Sequence, residues 1–206
     1  MLSPYQQTFN RFSQSNFKLS QAGFWSVLAF LALLLILTRS HHFFSLHSLP
    51  GASFAVFLLG GFYLRNKFAF GFFISLALAL DLIAVTWGGI DNFCVSPAYP
   101  FLLPAYGLIW LSGMFASVFY AENRKLYPMI LLTTIIGSLL CELVASGSFY
   151  FFSGRFVELS LAEFFNRVVT YYPASLQATA FYVAGAMIFH LLFLQLNKYR
   201  FKARVG

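Results

Sequence analysis

FAFGFFISLALALDLIAVTWGG, from Phe68 to Gly89, is an unbroken apolar run that carries a single charge, Asp81. At ~1.5 Å per residue such a run crosses a hydrocarbon core about 30 Å thick. An aspartate inside it costs about 2.5–3.5 kcal/mol on insertion scales, so it is kept where it faces a cavity or a partner. The stretch predicts a membrane helix with a carboxylate that needs a reason. Its plain reading is a helix-helix hydrogen bond to a Ser, Thr or Tyr; its functional reading is a site.

The same pattern extends along the chain in both directions. Composition is 60% hydrophobic and 9% charged, with 28 Phe and 11 Tyr, which excludes an ordinary soluble surface. The sequence predicts an all-α integral membrane protein, one membrane domain over residues 1–206. Six transmembrane helices are expected at about 21–38, 50–64, 68–89, 101–121, 126–146 and 174–197. Ser146-Gly147-Ser148 reads as the break that ends the fifth. Between the fifth and sixth, Arg155, Glu158, Glu163 and Arg167 are interspersed with Phe, Val and Leu. Ser160 and Glu163 have capping-box spacing, which predicts a short interfacial helix from Ser160 that ends before Pro173.

The formal charge of +7 does not form a patch interleaved with aromatics, so it does not point to nucleic acid. Of the 13 Lys and Arg, ten fall on one side: Arg11, Lys18, Arg65, Lys67, Arg124, Arg200, Arg204, Lys125, Lys198 and Lys202. Arg39, Arg155 and Arg167 fall on the other. The positive-inside rule then puts the N- and C-termini in the cytoplasm. It puts the His-rich segment, the Cys94 loop and the interfacial helix on the outer face. Asp81, about 20 Å along a helix entered near Phe68, lies in the outer half, and Glu142 of the fifth span reaches a similar height.

The loop after Asp81 reads Asp91-Asn92-Phe93-Cys94-Val95-Ser96-Pro97-Ala98-Tyr99-Pro100, followed by Phe101-Leu102-Leu103-Pro104-Ala105-Tyr106. Pro-Ala-Tyr recurs after about two helical turns, which puts Tyr99 and Tyr106 near one face if the region is helical. Pro97 and Pro100 oppose regular helix, and Pro104 is tolerated only in a first turn. Cys94 is a free nucleophile or soft metal ligand, both through its thiolate, or half of a disulfide with Cys141. There is no CxxC pair, no GxxxxGK[ST] and no GxGxxG, so neither a redox pair nor ATP or dinucleotide chemistry is indicated. His41, His42 and His47 are interface residues or metal ligands. Arg167 either reaches a cavity or pairs with Glu163 at i, i+4. His190, alone in the sixth span, reads as a packing residue.

Asp81, then Cys94, then Tyr99 within Cys-Val-Ser-Pro-Ala-Tyr-Pro-Phe-Leu-Leu-Pro-Ala-Tyr resembles the BtuM family. These are cobalamin-specific S components of the energy-coupling-factor (ECF) transporter type. The resemblance implies cobalamin (vitamin B12) binding and uptake across the bacterial inner membrane from an outward-facing site. It implies that Cys94 ligates the cobalt, that Asp81 and Tyr99 line the site, and that His42 and Arg167 follow by loop position. Tyr106, read from the sequence itself, is either a core residue or, with Tyr99, part of an aromatic wall for a large flat ligand. No intrinsic cofactor is implied; cobalamin is the transported ligand. Decyanation of cyanocobalamin is the associated reaction, and Cys94 would be its catalytic residue. The first helix departs from the family pattern: Ala29 and Ala32 do not make AxxxA, and only Ala22 and Ser26 approximate a small-xxx-small pair. Docking on an ECF energising module is therefore not encoded there, which fits a solitary component. Membrane lipid is the other expected partner. The alternative from another class is a membrane-embedded thiol enzyme, a sortase-like transpeptidase using Cys94, which needs a base within reach of the sulfur.

Overall fold

Apolar residues dominate every long segment, and with no water to bond the backbone each segment bonds itself as helix. The computed structural model describes residues 19–39, 51–86, 96–122 and 127–205. Helix α1 spans Gln21–Arg39, α2 Ser53–Tyr63, α3 Lys67–Thr86, α4 Leu102–Glu122, α5 Tyr127–Phe152 and α6 Leu161–Val205. A 3-10 turn, Tyr99–Phe101, leads into α4. No strand occurs among the described residues. Among the described residues five helices are long and apolar enough to cross a membrane: α1, α3, α4 with its leading turn, α5 and α6.

The remaining helix, α2, is different in kind. Its 11 residues rise only ~16 Å, half of a hydrocarbon core. It sits inside the others, with Ala55, Val56 and Phe57 fully buried. Two glycines let it approach α4 backbone to backbone: a Cβ on Gly61 would stand 2.1 Å from the Trp110 carbonyl oxygen, and one on Gly113 2.0 Å from that of Leu58. Any side chain at either position forces the two helices apart. Around this contact Phe57, Phe73, Tyr106 and Trp110 form the aromatic centre of the core. Outward faces carry Trp25, Phe30, Phe68, Leu131, Phe189 and Phe193, side chains suited to lipid.

Three boundaries differ from the sequence expectation, the simplest being the end of α6, which reaches Val205 and not about residue 197. Helix α5 runs through Ser146-Gly147-Ser148 to Phe152. The serines do not break it because Ser146 Oγ donates to Glu142 Oε1 and Ser148 Oγ to the Ala145 carbonyl, and Gly147 packs against the Phe164 ring. The short helix expected to end before Pro173 is instead the start of α6, whose 45 residues continue through that proline. Proline loses one backbone bond, the one to the residue four earlier, and membrane helices tolerate that loss. The capping box at Ser160 also takes another form: its N–H donates to Tyr150 Oη at 3.0 Å, and Glu163 is engaged by Arg167.

Turn chemistry follows the sequence more closely. After α2, Arg65 takes a left-handed conformation with φ 49°, and Asn66 Oδ1 caps α3 by accepting the Phe68 N–H at 2.7 Å. Pro104 falls in the first turn of α4, where its missing N–H has no helical partner to lose.

Candidate functional site

The helices alternate in direction, so the end of α1, the start of α2, the end of α3, the start of α4 and the end of α5 lie together at one end of the bundle. Stacking of Phe101 on Phe152, with centroids 5.2 Å apart and planes at 5°, ties the start of α4 to the end of α5. Thr38 does the same for α1 and α2: its Oγ1 accepts the Ala52 N–H. This is the end to which Asp81 belongs.

Asp81 is not alone there. Arg39, the last residue of α1, meets it side-on: Nε donates to Oδ1 and Nη2 to Oδ2, both at 2.6 Å. The remaining guanidinium nitrogen, Nη1, donates to Ser53 Oγ at 2.9 Å and to Tyr106 Oη at 3.1 Å. The Tyr99 hydroxyl donates to Asp81 Oδ2 at 2.5 Å. The two charged side chains are 15% and 24% exposed. A bidentate pair of this kind supplies the carboxylate with charge-assisted bonds on both oxygens, which is what makes Asp81 tolerable in an apolar helix. The cationic end of the pair also complements the negative C-terminal pole of α1.

Three of the residues singled out from the sequence therefore converge: Asp81, Tyr99 and Tyr106. They do so through Arg39 and Ser53, which sequence reasoning did not select. Arg39 was read only as a topology charge. The signal was present all the same, because a buried aspartate calls for a cation and few Lys or Arg lie on its side. Tyr106 takes the core setting of its two readings. It is 6% exposed and its ring stacks on Phe57 at 4.2 Å with planes at 5°, so it reaches the cluster from within the core and presents no open aromatic wall.

The other candidates lie elsewhere. Arg167, on the second turn of α6, donates through Nε to Glu163 Oε1 at 2.9 Å and sits over the Phe156 ring at 4.8 Å and the Tyr150 ring at 5.9 Å. It belongs to the same end of the bundle but is held by its own helix. Glu142 is buried and accepts from Ser146 Oγ at 2.5 Å. Cys141 is a free, buried thiol in α5. Cys94, His41, His42 and His47 lie outside the described residues. Among the described residues no three His, Cys, Asp or Glu converge as a metal site.

At the opposite end His190 is more than packing. Its Nε2 stands 2.9 Å from Tyr120 Oη and its Nδ1 3.3 Å from Tyr63 Oη. It borders a cavity of about 40 Å³ lined by Leu58, Phe62, Tyr120, Thr134 and Met187 among others. Its lining is mostly apolar and does not include Asp81.

No family model matches the chain, and no curated protein matches it.

Proposed function

We propose that this protein binds cobalamin at the Asp81 end of the bundle and takes it up across a bacterial inner membrane, with the Cys94 thiolate on cobalt. The observation that carries this reading is the meeting of Tyr99 and Asp81 at 2.5 Å, five residues beyond Cys94 in the chain. Helix α3 and the turn at Tyr99 thus bracket the cysteine segment at its two roots. A soft thiolate is a reasonable cobalt ligand, and Tyr99 supplies a ring and a hydroxyl fixed in direction. Arg167 and His42 are further contacts from the same end. The topology that goes with the reading has six spans, with α2 counted as the second, and both termini in the cytoplasm. With cyanocobalamin the thiolate would take the cyano ligand's place on cobalt, and cyanide would leave with its electron pair, with no change in oxidation state.

Absorbance of the purified protein tests the reading directly. Wild type loaded with cobalamin shows a visible spectrum distinct from that of the free vitamin, and Cys94→Ala does not. An unchanged wild-type spectrum, or an identical one for Cys94→Ala, overturns thiolate ligation. Trapping of a peptidyl thioester on Cys94 would instead establish the transpeptidase alternative.

A further inference from the structure

Arg39 has no part in the reading above, yet it holds the members that do. Its fork engages both oxygens of Asp81 at 2.6 Å, and a guanidinium meeting a carboxylate at two points fixes the carboxylate plane as well as its position. Ser53 and Tyr106 fix the guanidinium in turn through Nη1. Tyr99 bonds Oδ2, the same oxygen that accepts from Nη2. Because hydrogen bonds at a carboxylate follow its lone-pair directions, a fixed carboxylate plane also fixes the approach of the Tyr99 hydroxyl. The hydrogen-bonded path from Arg39 to Tyr99 runs through Asp81.

We propose that Arg39 is a positioning residue that sets the Tyr99 side chain through Asp81, and that by pairing with Asp81 it cancels the carboxylate's charge, so that Asp81 orients a hydroxyl and does not serve as a ligand for a free metal cation. The identity of the ligand rests on the cobalamin reading; the coupling of Arg39 to Tyr99 does not. Charge and geometry are separable, since lysine keeps the cation but loses the fork.

The test uses the full-length protein in detergent with Arg39→Lys, Arg39→Met, Tyr99→Phe and the Arg39→Met/Tyr99→Phe double variant. Without ligand, the unfolding-midpoint losses of Arg39→Met and Tyr99→Phe overlap, so the double variant falls little below the worse single one. In an Asp81→Asn background the overlap disappears. With cobalamin, Arg39→Lys keeps most of the wild-type midpoint but binds about tenfold more weakly. Additive midpoint losses, or full rescue of affinity by lysine, overturn the positioning role. Failure of wild type to bind cobalamin overturns the uptake reading instead, and the ligand-free coupling then decides the role of Arg39 by itself.

Discussion

At one end of the bundle Arg39, Asp81, Tyr99, Tyr106 and Ser53 share charge-assisted hydrogen bonds, while at the other His190 stands between Tyr63 and Tyr120. Both clusters tie helix ends together, but with different consequences. The first contains a full ion pair, so removal of either charged partner strands the other in a poorly hydrated place. In the second, the two imidazole nitrogens of His190 share hydrogen bonds with phenol hydroxyls, in directions set by the tautomer, and no carboxylate–guanidinium pair is split by loss of a member. The charged end is therefore held to one geometry, which a binding site needs. The neutral end tolerates change, and beside it lies only a small apolar cavity.

The largest expected effect comes from splitting the ion pair. Asp81→Leu or Arg39→Met alone should cost about 3–5 kcal/mol, whereas the Arg39→Met/Asp81→Leu double variant should return to within about 1 kcal/mol of wild type. Chemical unfolding in detergent reads both. A double variant as unstable as the singles would mean that the pair contributes geometry the apolar replacement cannot supply.

At the neutral end His190→Phe should cost about 1–2 kcal/mol, since hydrogen bonds between membrane helices average about 0.6 kcal/mol each and reach about 1.7. It should leave the cobalamin spectrum unchanged. A loss as large as that of Asp81→Leu would erase the contrast between the two ends.

Smaller effects sharpen the picture within each end. Tyr120→Phe should destabilise by about 1 kcal/mol and Tyr63→Phe by roughly half that, following contacts of 2.9 and 3.3 Å; a reversed order of the thermal midpoints would contradict the geometry. Arg167→Gln should be the mildest, at about 0.3 kcal/mol, because its partner Glu163 is exposed and on the same helix. Its effect on cobalamin affinity should likewise be less than that of Asp81→Leu. A larger one in equilibrium titration would make Arg167 a principal ligand contact.

How much of this was legible in the sequence varies with the range of the interaction. Runs such as Phe68–Thr86 encode a helix because every backbone bond is made within about one turn, and the membrane leaves no other partner. Asp81 encodes the need for a partner for the same reason. Pro104 and Asn66 encode turn positions through their own covalent chemistry. Pro173 misled, because its local penalty is real but was outweighed by the continuity of α6 on either side.

What only the tertiary structure decided was which groups meet. That Arg39 turns inward to Asp81, that Tyr99 and Tyr106 both join the pair, and that His190 finds two tyrosines depends on helix rotation and on the close approach of α2 to α4 at Gly61 and Gly113. Those contacts join residues distant in the chain, and no spacing records them. The amino-acid sequence by itself determined that a carboxylate within an apolar helix would require satisfaction. The packing of helices decided that an arginine, not a hydroxyl alone, would satisfy it.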